Sequence, residues 1–187
     1  NNYKPILEDK LKEVIHDSSD GLYTLEYDAL DLNVLLGNVT LRNARLVPDS
    51  AVYEQLVAAE NAPDNRFYIS LDELKVRRFS VKDLIFSKGL SINEIQLASP
   101  KVHMISDPHA FNDTVSTEEP KTLYEKIKDD LSGIRVNKID FSNVKFRHTK
   151  INNGERSTMV LDSVQLHIAD IQINEEGEKD STRIFYT

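Results

Sequence analysis

The sequence has no cysteine and no tryptophan, and it has only six glycines, which are scattered along the chain. Without cysteine the chain forms no disulfide, offers no thiolate ligand to a metal and has no cysteine nucleophile. The scattered glycines provide no loop that could cradle a phosphate. The missing tryptophan also disfavours a sugar site, since such sites commonly use large aromatic platforms.

Long apolar runs are missing as well. No run approaches the roughly 18 residues that a membrane-spanning helix needs, and no secretory signal is present. The chain nevertheless begins at Asn1 without a methionine, and residues 184–187 have the composition of a strand. We therefore expect a fragment of a longer protein, with a signal or membrane anchor before it and more sheet after it.

The net charge of the chain limits the kinds of partner that we expect it to bind. The net charge is −8 and the pI is about 5.1. An acidic surface repels phosphate backbones and anionic headgroups, so we expect no nucleic-acid partner and no electrostatic adhesion to a membrane. An apolar groove that accepts acyl chains stays compatible with this charge. A chain of this size also buries enough surface to need no metal or disulfide for stability.

The first predicted element is an amphipathic helix. Pro5 suits the first helical position, and the apolar stripe that follows it has helical spacing. Its members are Leu7, Leu11, Val14 and Ile15. Further short helices are predicted after Pro48, where Ser50 can serve as N-cap, and after Pro120.

Most of the remaining chain is predicted to form strands with an unusual apolar rhythm, in which spacings of two and three residues alternate. The rhythm occurs in Ile69, Leu71, Leu74, Val76, Phe79 and Val81, and again in Ile134, Val136, Ile139, Phe141, Val144 and Phe146. These side chains share one face only if each additional residue is absorbed by a bulge or a sharp bend. We therefore predict a mostly β (α+β) fold: a long, strongly curved antiparallel sheet, shaped as a half-pipe or groove, with an N-terminal helix and two or three short helices packed on it.

The strand units recur in similar order. This indicates a single domain over residues 1–187 with weak internal repeats at about 22–60, 66–105 and 134–187. Apolar turns at 34–38 and 83–86 each precede a new strand. The Asn-Gly pair at Asn153 and Gly154 predicts a hairpin of two long strands, and the polar loop 106–119 is long enough to be mobile or functional.

Several segments carry a family resemblance. They are the opening helix Tyr3-Lys4-Pro5-Ile6-Leu7-Glu8-Asp9-Lys10-Leu11, the strand motif Leu36-Gly37-Asn38-Val39-Thr40-Leu41 that ends in Pro48-Asp49, and the unit from Phe79-Ser80-Val81 to Ser99-Pro100-Lys101-Val102. Together they resemble the periplasmic repeats of the AsmA/TamB-like family, especially its large Bacteroidetes members. The resemblance covers most of the chain in rhythm, and none of these motifs is catalytic.

The resemblance implies a non-enzymatic periplasmic protein that is anchored to the inner membrane by a segment outside residues 1–187. It would be a lipid-handling or structural segment of a hydrophobic β-groove in lipid transport and outer-membrane biogenesis. The implied partners are lipid acyl chains, neighbouring repeats of the same longer chain and the membrane, and no cofactor is implied.

The candidate groove consists of apolar strand residues: Ile69, Leu71, Leu74, Val76, Ile92, Ile139, Phe141, Leu166 and Ile171. The same residues could instead form a closed core beneath the helices, because isolated domains rarely expose large apolar patches. A different class of function is an adhesin-like or carbohydrate-binding β-sandwich with ligand residues in the loop 106–119.

Polar clusters do not indicate catalysis. The loop segment 107–113 places His109 among carboxylates, which suits a base or a metal ligand, but its Pro, Asn and Asp residues are also ordinary turn formers. His103, His148 and His167 could converge on a metal, although alternate strand positions favour a solvated polar face. We predict no catalytic residue and no metal site.

Overall fold

The computed structural model describes residues 3–80, 89–113, 122–129, 131–152 and 154–178. Its helices are α1 (Tyr3–Ser18), α2 (Ser50–Ala58), α3 (Leu123–Ile127) and α4 (Glu175–Glu178). Its strands are β1 (Tyr23–Glu26), β2 (Ala29–Asn33), β3 (Asn38–Pro48), β4 (Asn65–Phe79), β5 (Gly89–Ala98), β6 (Lys101–Ser106), β7 (Gly133–Asn152) and β8 (Glu155–Ile173). Val81, the predicted turn 83–86, Pro120 and the strand expected over 184–187 lie outside the described residues.

The eight strands within the described residues belong to one sheet. Strands β1 and β2 pair with successive halves of β3, and β5 and β6 pair with successive parts of both β4 and β7. The sheet therefore consists of six ribbons in the order β1/β2, β3, β4, β5/β6, β7, β8. The prediction of a mostly β fold with an N-terminal helix and short helices is confirmed, and so is the long hairpin β7–β8.

The sheet is mixed, whereas the sequence predicted antiparallel pairing throughout. Strand β7 runs parallel to both β5 and β6, while the other neighbouring ribbons are antiparallel. Parallel neighbours need a crossover connection of a dozen or more residues. The chain between Ser106 and Gly133 provides that length, and α3 lies within it.

Two lines of irregular backbone cross the sheet. They lie at the positions where successive apolar residues are three apart in the sequence. The first break line consists of Asn43, Asp72, Ser99, Asn143 and Ser163, and the second of Gly37, Arg78, Asn93, Asn137 and Asp170. Regular pairing is skipped along these lines, and seven of the ten residues have a positive φ of 51–61°. Because each break absorbs one residue, the apolar side chains stay on the same face across it. The predicted bends are therefore confirmed.

Capping contacts determine where α2 begins, and buried apolar side chains determine how α1 packs. The N-cap of α2 is Asp49, whose Oδ1 accepts the backbone N–H groups of Ala51 and Val52 at 2.8 and 3.1 Å, so the prediction of Ser50 as the cap was wrong by one residue. A carboxylate in this position also interacts favourably with the helix dipole. In α1, Leu7 is 6% exposed and belongs to the main core cluster.

Candidate functional site: the apolar face of the sheet

All nine predicted groove residues lie on one face of the sheet. The register shows this directly, because residues opposite each other on neighbouring strands share a face. One transverse row joins Leu41, Leu74, Leu97, Phe141 and Leu166 across five ribbons. Parallel rows hold the other predicted residues: Leu46–Ile69–Val102–Phe146–Leu161, Ala44–Leu71, Val39–Val76–Ile95–Ile139–Ile168 and Phe79–Ile92–Val136–Ile171.

One part of this face is closed. The buried cluster comprises Leu7, Leu30, Val39, Leu41, Ala44, Phe79, Ile92 and Val136, with Tyr3 and Leu11 of α1 packed against it. Five further groove candidates line the same cluster: Leu71, Leu74, Val76, Ile139 and Ile171. Here the closed-core alternative describes the structure, because these side chains are buried in or packed against one cluster to which α1 contributes Leu7.

The other part of the face is open. Along β8 the exposed fraction is 48% for Leu166, 39% for Val164, 48% for Leu161 and 51% for Met159. These residues face Phe141, Val144, Phe146 and His148 of β7. The apolar face thus continues from the buried cluster to an exposed strip on β8.

The predicted groove included only Leu166 and Ile171 from β8. It did not include Met159, Leu161 and Val164, although the same spacing of apolar residues continues through them towards the hairpin turn. The spacing from Met159 to Ile173 continues the pattern of twos and threes.

The opposite face of the sheet is charged. Lys138 contacts Glu94 at 3.1 Å and Asp140 at 2.8 Å, and Asp140 Oδ1 also lies 2.6 Å from Nδ1 of His167. The hydrogen bond from Lys138, and then that from His167, lowers the pKa of Asp140. A shallow depression of about 510 Å³ is lined by Asp140 and His167 together with Glu73 and Lys75. Exposed ion pairs of this kind contribute little stability, so this face mainly keeps the sheet hydrated on one side.

The described part of the loop 106–119 is folded against the body of the protein. Asp64 accepts hydrogen bonds from the backbone N–H of His109 at 2.9 Å and from Nδ2 of Asn112 at 2.7 Å. The bond from Asn112, and then that from His109, lowers the pKa of Asp64. The ring of His109 stacks on Phe111 at 4.8 Å, and its Nε2 lies 2.8 Å from the Tyr53 hydroxyl. The polar groups of residues 107–113 thus hold the loop in place.

The strand histidines do not converge. His103 lies in the row of Tyr68 and Arg147, whereas His148 pairs with Met104 on the other face. Burial, with a smaller effect of Arg147, lowers the pKa of His103. Within the ranges that the structure describes, no group of three His, Asp or Glu side chains is arranged to hold a metal ion.

Fold and surface together define a mostly β protein built on one long sheet with a charged face and an apolar face. A scan against protein-family models finds no match to this chain, and a search of curated proteins finds none either. Among the described residues, no helix has both the length and the apolar composition to cross a bilayer.

Proposed function

We propose that this chain is a non-enzymatic segment of a hydrophobic β-groove that handles lipid acyl chains in the periplasm of a Gram-negative cell. In this proposal an anchor outside residues 1–187 holds the protein at the inner membrane, and neighbouring repeats of the same longer chain extend the groove. The process would be lipid transport in outer-membrane biogenesis.

One observation carries the proposal: the apolar face is continuous from the covered cluster to the exposed strip. The row that joins the buried Leu41 to the exposed Leu166 crosses five ribbons without a polar residue. A core that served packing alone would end where its cover ends, because exposed apolar surface gains nothing for the isolated fold.

The exposed strip on β8 is long enough to contact an acyl chain. From Met159 to Leu166 it extends seven residues, or about 23 Å at roughly 3.3 Å per residue. Each methylene removed from water there would contribute about 0.8 kcal/mol before the cost of association is subtracted. About ten buried methylenes would therefore supply roughly 8 kcal/mol of gross stabilisation.

The arrangement of the strands supports a groove rather than an adhesin-like sandwich. A sandwich has two packed sheets, each covering the apolar face of the other. The described strands of this protein form one sheet, and the cover that the structure shows is helical.

The test is photo-crosslinking in a Gram-negative host that exports the chain to its periplasm. Benzoylphenylalanine replaces Leu166 in one variant and His167 in the other. The positions are adjacent on β8 and similarly exposed, at 48% for Leu166 and 58% for the His167 side chain, but they lie on opposite faces. After irradiation, mass spectrometry of the intact protein identifies the adducts.

We expect a phospholipid-sized adduct at position 166 and none at position 167. Equal labelling of both positions, or no lipid adduct at position 166, would contradict the proposal. An adduct with the mass of a second protein chain does not count as lipid and is distinguished by its size.

A further inference from the structure

Among the strands that the structure describes, β8 forms one edge of the sheet. It has 19 residues and pairs with β7 alone among the described strands. Its sequence contains neither proline nor lysine, two of the residues that commonly protect exposed edges, although Asp162 and Asp170 are charged. The opposite edge is different, because β1 and β2 are short and α1 packs against β1.

The exposed apolar side chains of β8 lie on both faces. Leu161 and Leu166 belong to the apolar face, whereas Val160 pairs with Arg147 on the charged face and is 57% exposed. An acyl chain on the apolar face would leave Val160 in water. A further strand beside β8 would contact side chains on both faces at once.

The apolar-face residues of β8 have a symmetrical spacing. They are Met159, Leu161, Val164, Leu166, Ile168, Ile171 and Ile173. The intervals between them are 2, 3, 2, 2, 3 and 2 residues, which read the same from either end and centre on Leu166.

This symmetry lets β8 pair with a second copy of itself. If Leu166 lies opposite Leu166 in an antiparallel pair, Val164 faces Ile168, Leu161 faces Ile171, and Met159 faces Ile173. The two breaks also coincide, because the interval that contains Ser163 (φ 59°) lies opposite the interval that contains Asp170 (φ 56°). A regular strand of another protein would match the apolar face on only one side of each break.

We propose that β8 is a homodimerisation edge, on which two copies of the chain pair antiparallel about a two-fold axis at Leu166. The joined sheet carries a continuous apolar face across both copies. This inference places a second copy, rather than a neighbouring repeat of the longer chain, beside β8. It does not depend on lipid binding, so dimerisation and lipid binding can each fail without the other.

Charge modifies the proposed contact. Asp162 of one copy lies opposite Asp170 of the other, and like charges in this position oppose pairing. Lys145 offsets part of this repulsion, because its Nζ lies 3.3 Å from Asp162 Oδ2. Asp170→Asn is therefore expected to tighten the dimer.

The experiment uses the absence of native cysteine. Leu166→Cys places one thiol at the proposed axis, opposite its own copy and within reach of a disulfide. Leu161→Cys is the matched control, because both leucines are 48% exposed on the same face of β8. Position 161 faces Ile171 of the second copy, so the two thiols of this control would lie about 33 Å apart.

Under mild oxidation we expect Leu166→Cys to form a covalent dimer and Leu161→Cys to stay monomeric on a non-reducing gel. Sedimentation equilibrium of the native chain at about 100 µM should show mostly dimer if the Kd is near 1 µM. A native chain that is monomeric at this concentration, or equal crosslinking of both variants, would overturn the proposal.

A charge substitution gives a second readout that does not rely on thiols. Leu166→Arg brings two like charges together at the axis and should raise the dimer Kd at least about tenfold. Leu35→Arg, at a turn residue that is 97% exposed, should leave the Kd unchanged. Circular dichroism checks that both variants are folded. Equal Kd values for folded Leu166→Arg and the native chain would also overturn the proposal.

Discussion

Gly37 offers a sharp test of how closely β3 and β4 approach at the second break line. Its φ is +61°, and its carbonyl accepts the backbone N–H of Phe79 at 2.9 Å. A Cβ atom at this position would collide with the carbonyl oxygen of Phe79 and would lie 3.0 Å from the Phe79 nitrogen and 3.2 Å from its carbonyl carbon. Gly37→Ala therefore forces backbone atoms of a core residue to move, since Phe79 is 6% exposed.

The expected loss of stability in Gly37→Ala is the sum of three contributions. Alanine with positive φ costs about 1–2 kcal/mol. A disturbed Phe79–Gly37 hydrogen bond adds about 1 kcal/mol, and displacement in a packed core adds about 1–2 kcal/mol. We expect Gly37→Ala to lower the free energy of unfolding by about 3–5 kcal/mol. For a chain of this size the corresponding fall in Tm is roughly 6–20 °C.

Gly154→Ala is the matched control. Gly154 has a φ of +83°, but a Cβ atom there would have no neighbour within 4 Å. This variant should lose only the conformational cost, about 1–2 kcal/mol. Urea unfolding of both variants, followed by circular dichroism, measures the difference. Equal losses would refute the close approach of Gly37 to β4.

Three other substitutions test the breaks, the helix cap and the loop. Arg78 has a φ of +55°, which a β-branched side chain tolerates less well than arginine does. Arg78→Val should therefore cost about 1 kcal/mol, whereas Arg77→Val should change stability by no more than about 0.5 kcal/mol. Similar urea midpoints for the two variants would argue against the second break line. Asp49→Ala should cost about 1 kcal/mol and Ser50→Ala about 0.5 kcal/mol or less, and a larger loss for Ser50→Ala would reverse the cap assignment. Asp64→Asn should cost about 1–2 kcal/mol at pH 7. Because the folded-state pKa of Asp64 is lowered, this contribution is complete above about pH 4 and is lost as the pH falls through the folded pKa. The native and variant urea midpoints should therefore converge as the pH is lowered further below about 4.

Local patterns predicted much of the fold. The three-residue intervals placed breaks at Arg78 and Asn143, because a strand can keep its apolar residues on one face only by absorbing the additional residue. The Asn-Gly pair predicted the hairpin β7–β8, and helical spacing predicted the buried position of Leu7 in α1. The nine groove candidates share one face for the same reason, since side-chain direction along a strand follows from its spacing.

Tertiary structure determined the features of the fold that the spacing of apolar residues does not specify. The apolar rhythm of β7 is the same for parallel and antiparallel neighbours, so its direction beside β5 depends on the crossover between Ser106 and Gly133. Long-range packing decided that Leu74 lies against the buried cluster while Leu166, in the same row, is exposed. Likewise, only the fold brings Asp64 to His109, because they are far apart in sequence. Spacing determines which face a side chain points to, but long-range packing determines what covers that face.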